Sequence, residues 1–121
     1  MAKTILIVED DPKNMRLFNE LLQANGYNTL QSVDGADTLE LARKYRPNLV
    51  VMDIQLPLVS GLDRTRELKA DDDLKDIPVV AVTAFALDGG IEKILAAGCD
   101  DAVGKPILVP LFLETVEKHL L

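Results

Sequence analysis

The chain has 121 residues, 48% of them apolar and 27% charged, and 20 Asp and Glu against 13 Lys and Arg leave a formal charge of −7. That size and balance fit one globular domain, residues 1–121, with an ordinary core, and exclude a disordered chain. An acidic surface argues against a nucleic-acid partner, and a single cysteine excludes an intrachain disulfide or a cysteine zinc site.

No apolar run approaches the roughly 20 residues of a membrane span, so no membrane insertion is expected. Met1-Ala2-Lys3 leads directly into an apolar run without a signal peptide, so the expected location is the cytoplasm. No further output domain is expected after Leu121.

The elements alternate along the chain. Ile5-Leu6-Ile7-Val8 is a short β-branched run without polar alternation, the pattern of a strand buried on both faces. Met15, Phe18, Leu21 and Leu22 then share one helical face, and Gly26 is a natural stop. Residues 27–31 read as a second, less apolar strand. Asp34 is a candidate N-cap for a helix carrying Ala36, Leu39 and Ala42, closed by Pro47. Leu49-Val50-Val51-Met52 is a third strand. Ser60 is placed to cap a helix over 62–70, and Asp71-Asp72-Asp73 with Asp76 reads as a solvated loop.

Val79-Val80-Ala81-Val82 is a fourth strand, and residues 91–97 form a helix candidate weakened by Gly89-Gly90 at its start. Residues 100–103 read as a fifth strand, with Cys99 as a small buried apolar group beside it. Val109, Phe112, Leu113, Val116 and Leu120 trace a clean helical stripe, with Pro110 acceptable in the first turn and His119 in the last. Five strands alternating with five helices predict a doubly wound α/β domain.

Each central strand ends on a polar side chain. The first meets Glu9-Asp10-Asp11, the third Asp53, the fourth Thr83, and Lys105 follows the fifth. In an open parallel sheet such endings converge on one edge, where ligands bind. Singly, each has a plain reading: an acid as the cap of the next helix, a structural threonine, a solvated lysine. Their conjunction points to chemistry. Gathered carboxylates repel unless a cation neutralises them, and a site of oxygens without His or Cys suits Mg²⁺. A carboxylate beside that ion can attack phosphorus, while Lys105 and Thr83 balance the oxygens in transfer.

With these residues placed, the chain resembles the receiver domain of two-component response regulators. The resemblance rests on Val8-Glu9-Asp10-Asp11, Met52-Asp53-Ile54-Gln55-Leu56-Pro57 with Ser60-Gly61, Val82-Thr83-Ala84 and Lys105-Pro106. The stretches 53–62 and 77–86 are similar to single-domain regulators of the DivK type. The resemblance implies a flavodoxin-like (βα)5 fold, its five-stranded parallel sheet in the order 2-1-3-4-5 with helices on both faces.

It also implies roles. Asp53 would accept the phosphoryl group; Glu9, Asp10, Asp53 and the Gln55 backbone carbonyl would hold Mg²⁺, for which Mn²⁺ can substitute; Thr83 and Lys105 would bind the phosphoryl oxygens, and Lys105-Pro106 would be cis. Asp11 is a weaker metal candidate. The phosphodonor would be a sensor histidine kinase or a histidine phosphotransfer domain. The signal would leave through the fourth-helix, fifth-strand and fifth-helix face to a downstream protein. The domain would catalyse only its own phosphorylation and dephosphorylation.

Receivers usually carry an aromatic residue three positions before the lysine, and here that position is Ala102, so a threonine–aromatic relay is not expected in its usual form. Phe85 is expected to shield the acyl phosphate from water. Two alternatives compete: a receiver-like binding module that does not switch, and an Asp-nucleophile phosphatase. The second would want Asp-x-Asp after the first strand and a cap domain, whereas Asp11 and Pro12 follow Asp10. A flavin mononucleotide site is disfavoured by the acidic first loop.

Overall fold

The apolar runs lacking polar alternation lie at the centre of a parallel sheet. The computed structural model describes residues 2–56, 60–84 and 90–120. They form β1 (Thr4–Val8), α1 (Pro12–Ala24), β2 (Asn28–Ser32), α2 (Thr38–Tyr45), β3 (Leu49–Asp53), α3 (Gly61–Ala70), β4 (Val79–Thr83), α4 (Gly90–Ala96), β5 (Asp101–Gly104) and α5 (Val109–Leu120). All strand pairs are parallel, in the order β2-β1-β3-β4-β5.

The twofold alternation of a strand divides the core in two. Ile5, Ile7, Leu49, Val51, Val80 and Val82 face one side, where Phe18 and Leu22 of α1 meet Phe112 and Val116 of α5. Phe18 and Phe112 stack with ring centres 5.1 Å apart. Leu6, Val8, Val50, Met52, Val79 and Ala81 face the other side, against Ala42 of α2, Leu68 of α3 and Ile94 of α4. Both faces are therefore dry, which is why these strands carry no polar alternation.

Register decides where the polar side chains emerge. Val8 lies opposite Ser32 and Met52, Asp53 opposite Val82, and Thr83 opposite Gly104. Four strands thus finish nearly level, and the residues that end or follow them share one edge.

Local capping explains most boundaries. Gly26 takes φ +88° just past α1, in the left-handed region that favours glycine. Ser60 accepts hydrogen bonds from the Leu62 and Asp63 amides and starts α3 as expected.

Four expectations are corrected. α2 is capped at Asp37, not Asp34: the Asp34 carboxylate accepts from the Ala36 amide at 3.0 Å, and Gly35 turns the chain at φ +81°. The acid therefore closes a turn, and Ala36 is exposed rather than part of a buried stripe. The second strand is shifted from 27–31 because the Tyr27 amide is engaged by the Leu22 carbonyl at the end of α1. The fifth strand starts one residue late because Asp100 instead grips the start of β4, through its amide to the Val79 carbonyl and its carboxylate to the Val79 amide, both at 2.8 Å. Finally, Asp72, Asp73 and Asp76 are exposed as expected, but Asp71 is half-buried and paired: its carboxylate accepts from Arg43 at 3.0 Å and from the Asp73 amide at 2.9 Å. Those bonds, the amide's before the guanidinium's, hold it below the usual carboxylate range.

Candidate functional site: an acidic cluster with one lysine

The edge formed by the strand ends carries Glu9 just past β1, Asp53 closing β3, Thr83 closing β4 and Lys105 just past β5. Glu9, Asp53 and Thr83 are each at most 2% exposed, so three polar groups are withdrawn from water at one place. Carboxylate oxygens of Glu9, Asp10 and Asp53 all lie within 4.8 Å of one another. The Lys105 ammonium stands 3.4 Å from both Glu9 Oε1 and Asp53 Oδ2. A lysine that would be a solvated side chain in isolation is therefore the cation of the site.

Asp53 is anchored on its other oxygen, where Oδ1 accepts the Gln55 amide at 2.9 Å. Glu9 Oε2 accepts the Asp11 amide at 3.2 Å, whereas the buried Glu9 Oε1 makes no hydrogen bond. Burial, and next the hydrogen bond and charge of Asp53, push the Glu9 carboxyl up to about 7; the Asp11 amide and the Lys105 charge oppose this without cancelling it. The raised value marks first an acid withdrawn from water and then a neighbouring carboxyl, which one ammonium does not offset.

Asp11 goes to the plain reading. It is the N-cap of α1, its carboxylate accepting from the Lys13 amide at 3.0 Å. The Lys105–Pro106 bond is cis, as expected. The expectation for Phe85 lies outside the described residues, as does the Pro57 position.

Two features escaped the sequence reading. Gly61 stands where an added Cβ would lie 2.2 Å from the Asp53 carbonyl oxygen and 2.7 Å from Ile54 Cα, so α3 starts pressed against the backbone of Asp53. The only signal was the Ser60-Gly61 pair itself. The Gln55 side chain, considered before only for its backbone, accepts the Ala84 amide through Oε1 at 3.4 Å and so ties the loop after β3 to the exit of β4. A polar residue two positions beyond Asp53 was the available hint.

Three oxygen donors beside an uncompensated buried carboxylate suit a hard divalent cation. An ammonium held against the same carboxylates suits a second, anionic group that arrives next to Asp53.

Comparison with known proteins agrees with the geometry. Residues 5–117 match the response regulator receiver domain family. The chain is 52% identical to the polar-differentiation response regulator DivK of Brucella anthropi over 120 residues, 99% of this chain and 98% of that protein. It is 50% identical to DivK of Brucella ovis with the same coverage. Among solved structures, the receiver domain of a sensor histidine kinase from Pseudomonas aeruginosa PAO1, with a magnesium ion coordinated in its active-site cleft, is 31% identical at a TM-score of 0.91, covering 99% of this chain and 98% of that one. The chemotaxis protein CheY4 of Vibrio cholerae shares the fold at a TM-score of 0.93 and 22% identity, over 99% of this chain and all of that one. Among the described residues no helix is long and apolar enough to cross a membrane. A sheet in the order 2-1-3-4-5, an acidic cluster at its carboxyl edge and these relatives converge on one assignment: the chain belongs to the response regulator receiver domain family.

Proposed function

We propose that this chain is a single-domain receiver of a histidine-to-aspartate phosphorelay, acting in the cytoplasm, with Asp53 as phosphoacceptor. One observation carries the reading: Asp53, buried at the end of β3, shares one lysine with Glu9, and its carboxylate lies within 4.8 Å of those of Glu9 and Asp10. The near-complete coverage of the DivK relatives supports the single-domain reading.

Glu9, Asp10 and Asp53 fit Mg²⁺, with the Gln55 backbone carbonyl as a further donor; the buried Glu9 Oε1, which makes no hydrogen bond and has the Lys105 ammonium at 3.4 Å, is the atom that best suits a cation. When bound, the ion supplies positive charge against the carboxylates and the phosphoryl oxygens. Mn²⁺, equally content with oxygen donors, would substitute.

The chain's own residues do the rest. The Gln55 amide fixes one oxygen of Asp53, and the closely packed start of α3 fixes its backbone, so the carboxylate is oriented before the donor arrives. The carboxylate forms an O–P bond as the P–N bond of a phosphohistidine breaks, and the imidazole leaves. Lys105 exchanges its contact with Asp53 for the phosphoryl oxygens, and the Thr83 hydroxyl at the end of β4 donates to them. Hydrolysis removes the group again: water attacks phosphorus, the O–P bond to Asp53 breaks, and inorganic phosphate leaves with the carboxylate restored. Besides this self-directed chemistry the domain has no substrate to turn over.

The donor is a phosphohistidine on a sensor kinase or phosphotransfer domain, and the receiving partner is a protein that binds the α4–β5–α5 face. Ile91 and Leu95 of α4 are exposed there, and Asp101 of β5 pairs with His119 of α5 at 3.0 Å. Ala102 favours a second reading, a receiver that is phosphorylated without repacking this face, because a methyl group cannot supply the swinging aromatic.

Acetyl phosphate with Mg²⁺ tests the proposal. The expected result is one added phosphoryl mass, absent in Asp53→Asn; no added mass in the parent protein under those conditions refutes it. Amide shifts across α4–β5–α5 on phosphorylation separate the switching reading from the second one.

A further inference from the structure

Gln55 joins two sides of the site, the end of β3 and the exit of β4. Its backbone amide holds Asp53 Oδ1 at 2.9 Å, and its own Oε1 accepts the Ala84 amide at 3.4 Å. The carbonyls around Ala84 are already committed, Val82 to the Ile54 amide at 3.2 Å and Thr83 to the Lys105 amide at 2.8 Å. Ala84 carries the next backbone donor past the end of β4, and in this structure that donor is spent on Gln55.

We infer that Gln55 is a latch on the resting state: its side-chain carbonyl holds the Ala84 amide away from the phosphoryl group that Asp53 is to receive. The inference rests on the phosphoacceptor reading above. A phosphoryl group on Asp53 presents anionic oxygens beside the exit of β4, and an amide bond to such an oxygen is roughly twice as strong as one to a neutral carbonyl. The Gln55 bond is long for an N–H···O contact and sits on an exposed side chain, so it yields at small cost. Modification of Asp53 thus frees Gln55 and draws in the β4 exit, and Gln55 opposes both until the exchange occurs. In this role the Gln55 side chain is a positioning group: it acts through the Ala84 amide, while its backbone amide holds Asp53.

Gln55→Met keeps the side chain's length and removes the acceptor. Because position 55 is exposed, the fold is expected to tolerate the change. Breaking one neutral hydrogen bond of the resting state should tighten beryllofluoride, a phosphoryl mimic, by about two- to fivefold in saturating Mg²⁺. In the metal-free Gln55→Met protein the Ala84 amide proton should shift upfield and exchange faster than in the parent. A purely structural role would not move the Ala84 amide and the mimic's affinity together. Unchanged or weaker beryllofluoride binding in Gln55→Met, or an Ala84 amide identical in the two proteins, overturns the latch. Failure of the parent protein itself to bind beryllofluoride overturns the phosphoacceptor reading instead.

Discussion

Gly61→Ala should damage the protein without touching a charge. The added methyl would lie 2.2 Å from the Asp53 carbonyl oxygen and 2.7 Å from Ile54 Cα, both backbone atoms of the segment that carries the proposed phosphoacceptor. No side-chain rotation relieves such contacts, so the start of α3 or the end of β3 must move by about 1 Å. Overpacking of this kind costs about 1–3 kcal/mol, and backbone neighbours put it at the upper end. The alanine returns up to about 1 kcal/mol by restricting the unfolded chain, leaving a net loss near 2 kcal/mol. For a domain of this size that lowers Tm by about 8 °C. Gly26→Ala is the control: open space surrounds its Cβ, but φ is +88°, so only the left-handed penalty of about 1–2 kcal/mol applies. Denaturant unfolding of both variants, alongside initial rates of phosphorylation by acetyl phosphate, separates the two mechanisms. Gly61→Ala should lose stability and phosphorylate slowly, because Asp53 is displaced; Gly26→Ala should lose stability and phosphorylate normally. A Gly61→Ala protein of parental stability and rate would show that the contact at Asp53 is not the reason for glycine.

Three further outcomes follow from the charges and the core. Glu9 is an acid whose folded pKa of about 7 exceeds its usual 4.5, so the metal-free protein should lose stability as pH rises between those values, and Glu9→Gln should remove that slope in urea titrations at pH 5, 6 and 8. Burial pushes the Asp101 carboxyl up, but the His119 hydrogen bond, the Ala102 amide and the Lys118 charge together hold it below its usual value. Its contribution is therefore present at neutral pH and lost as pH falls through the depressed value. Asp101→Asn should cost about 0.5–1 kcal/mol at pH 7 and nothing once the parent's carboxyl is protonated, by urea titrations at pH 7 and below pH 3. Phe112→Ala should cost about 3–5 kcal/mol, since the ring is fully buried against Phe18 and its removal leaves a cavity between α1, α5 and the sheet, measured by denaturant unfolding.

The architecture was legible because it rests on periodicities that a single sequence displays. Unbroken β-branched runs mean strands covered on both faces, and the stripe from Val109 to Leu120 can only be an amphipathic helix. Boundaries were legible where the stop signal is chemical, as at Gly26 and Ser60, and illegible where two similar residues compete. Asp34 and Asp37 are both plausible caps, and the choice between them is made by Gly35, whose positive φ turns the chain first. Asp71 was misread for a related reason: its partner Arg43 lies on another helix, and nothing local announces a pairing across that distance.

The site was legible in its membership and illegible in its electrostatics. Strand ends in a parallel sheet meet at one edge whatever the loops do, so Glu9, Asp53, Thr83 and Lys105 could be grouped from order alone. Which acid bears the strain could not be read that way, because it depends on burial and on the share of one ammonium. Glu9 Oε1 and Asp53 Oδ2 stand equally far from Lys105, and each carboxylate accepts one backbone amide on its other oxygen, from Asp11 and from Gln55, so these contacts alone do not single out Glu9. The cost of gathering the acids in a dry pocket shows at Glu9, pushed up first by burial and next by its Asp53 neighbour. A cation that pairs with Glu9 relieves the strained acid and leaves Lys105 to serve Asp53 and whatever Asp53 accepts.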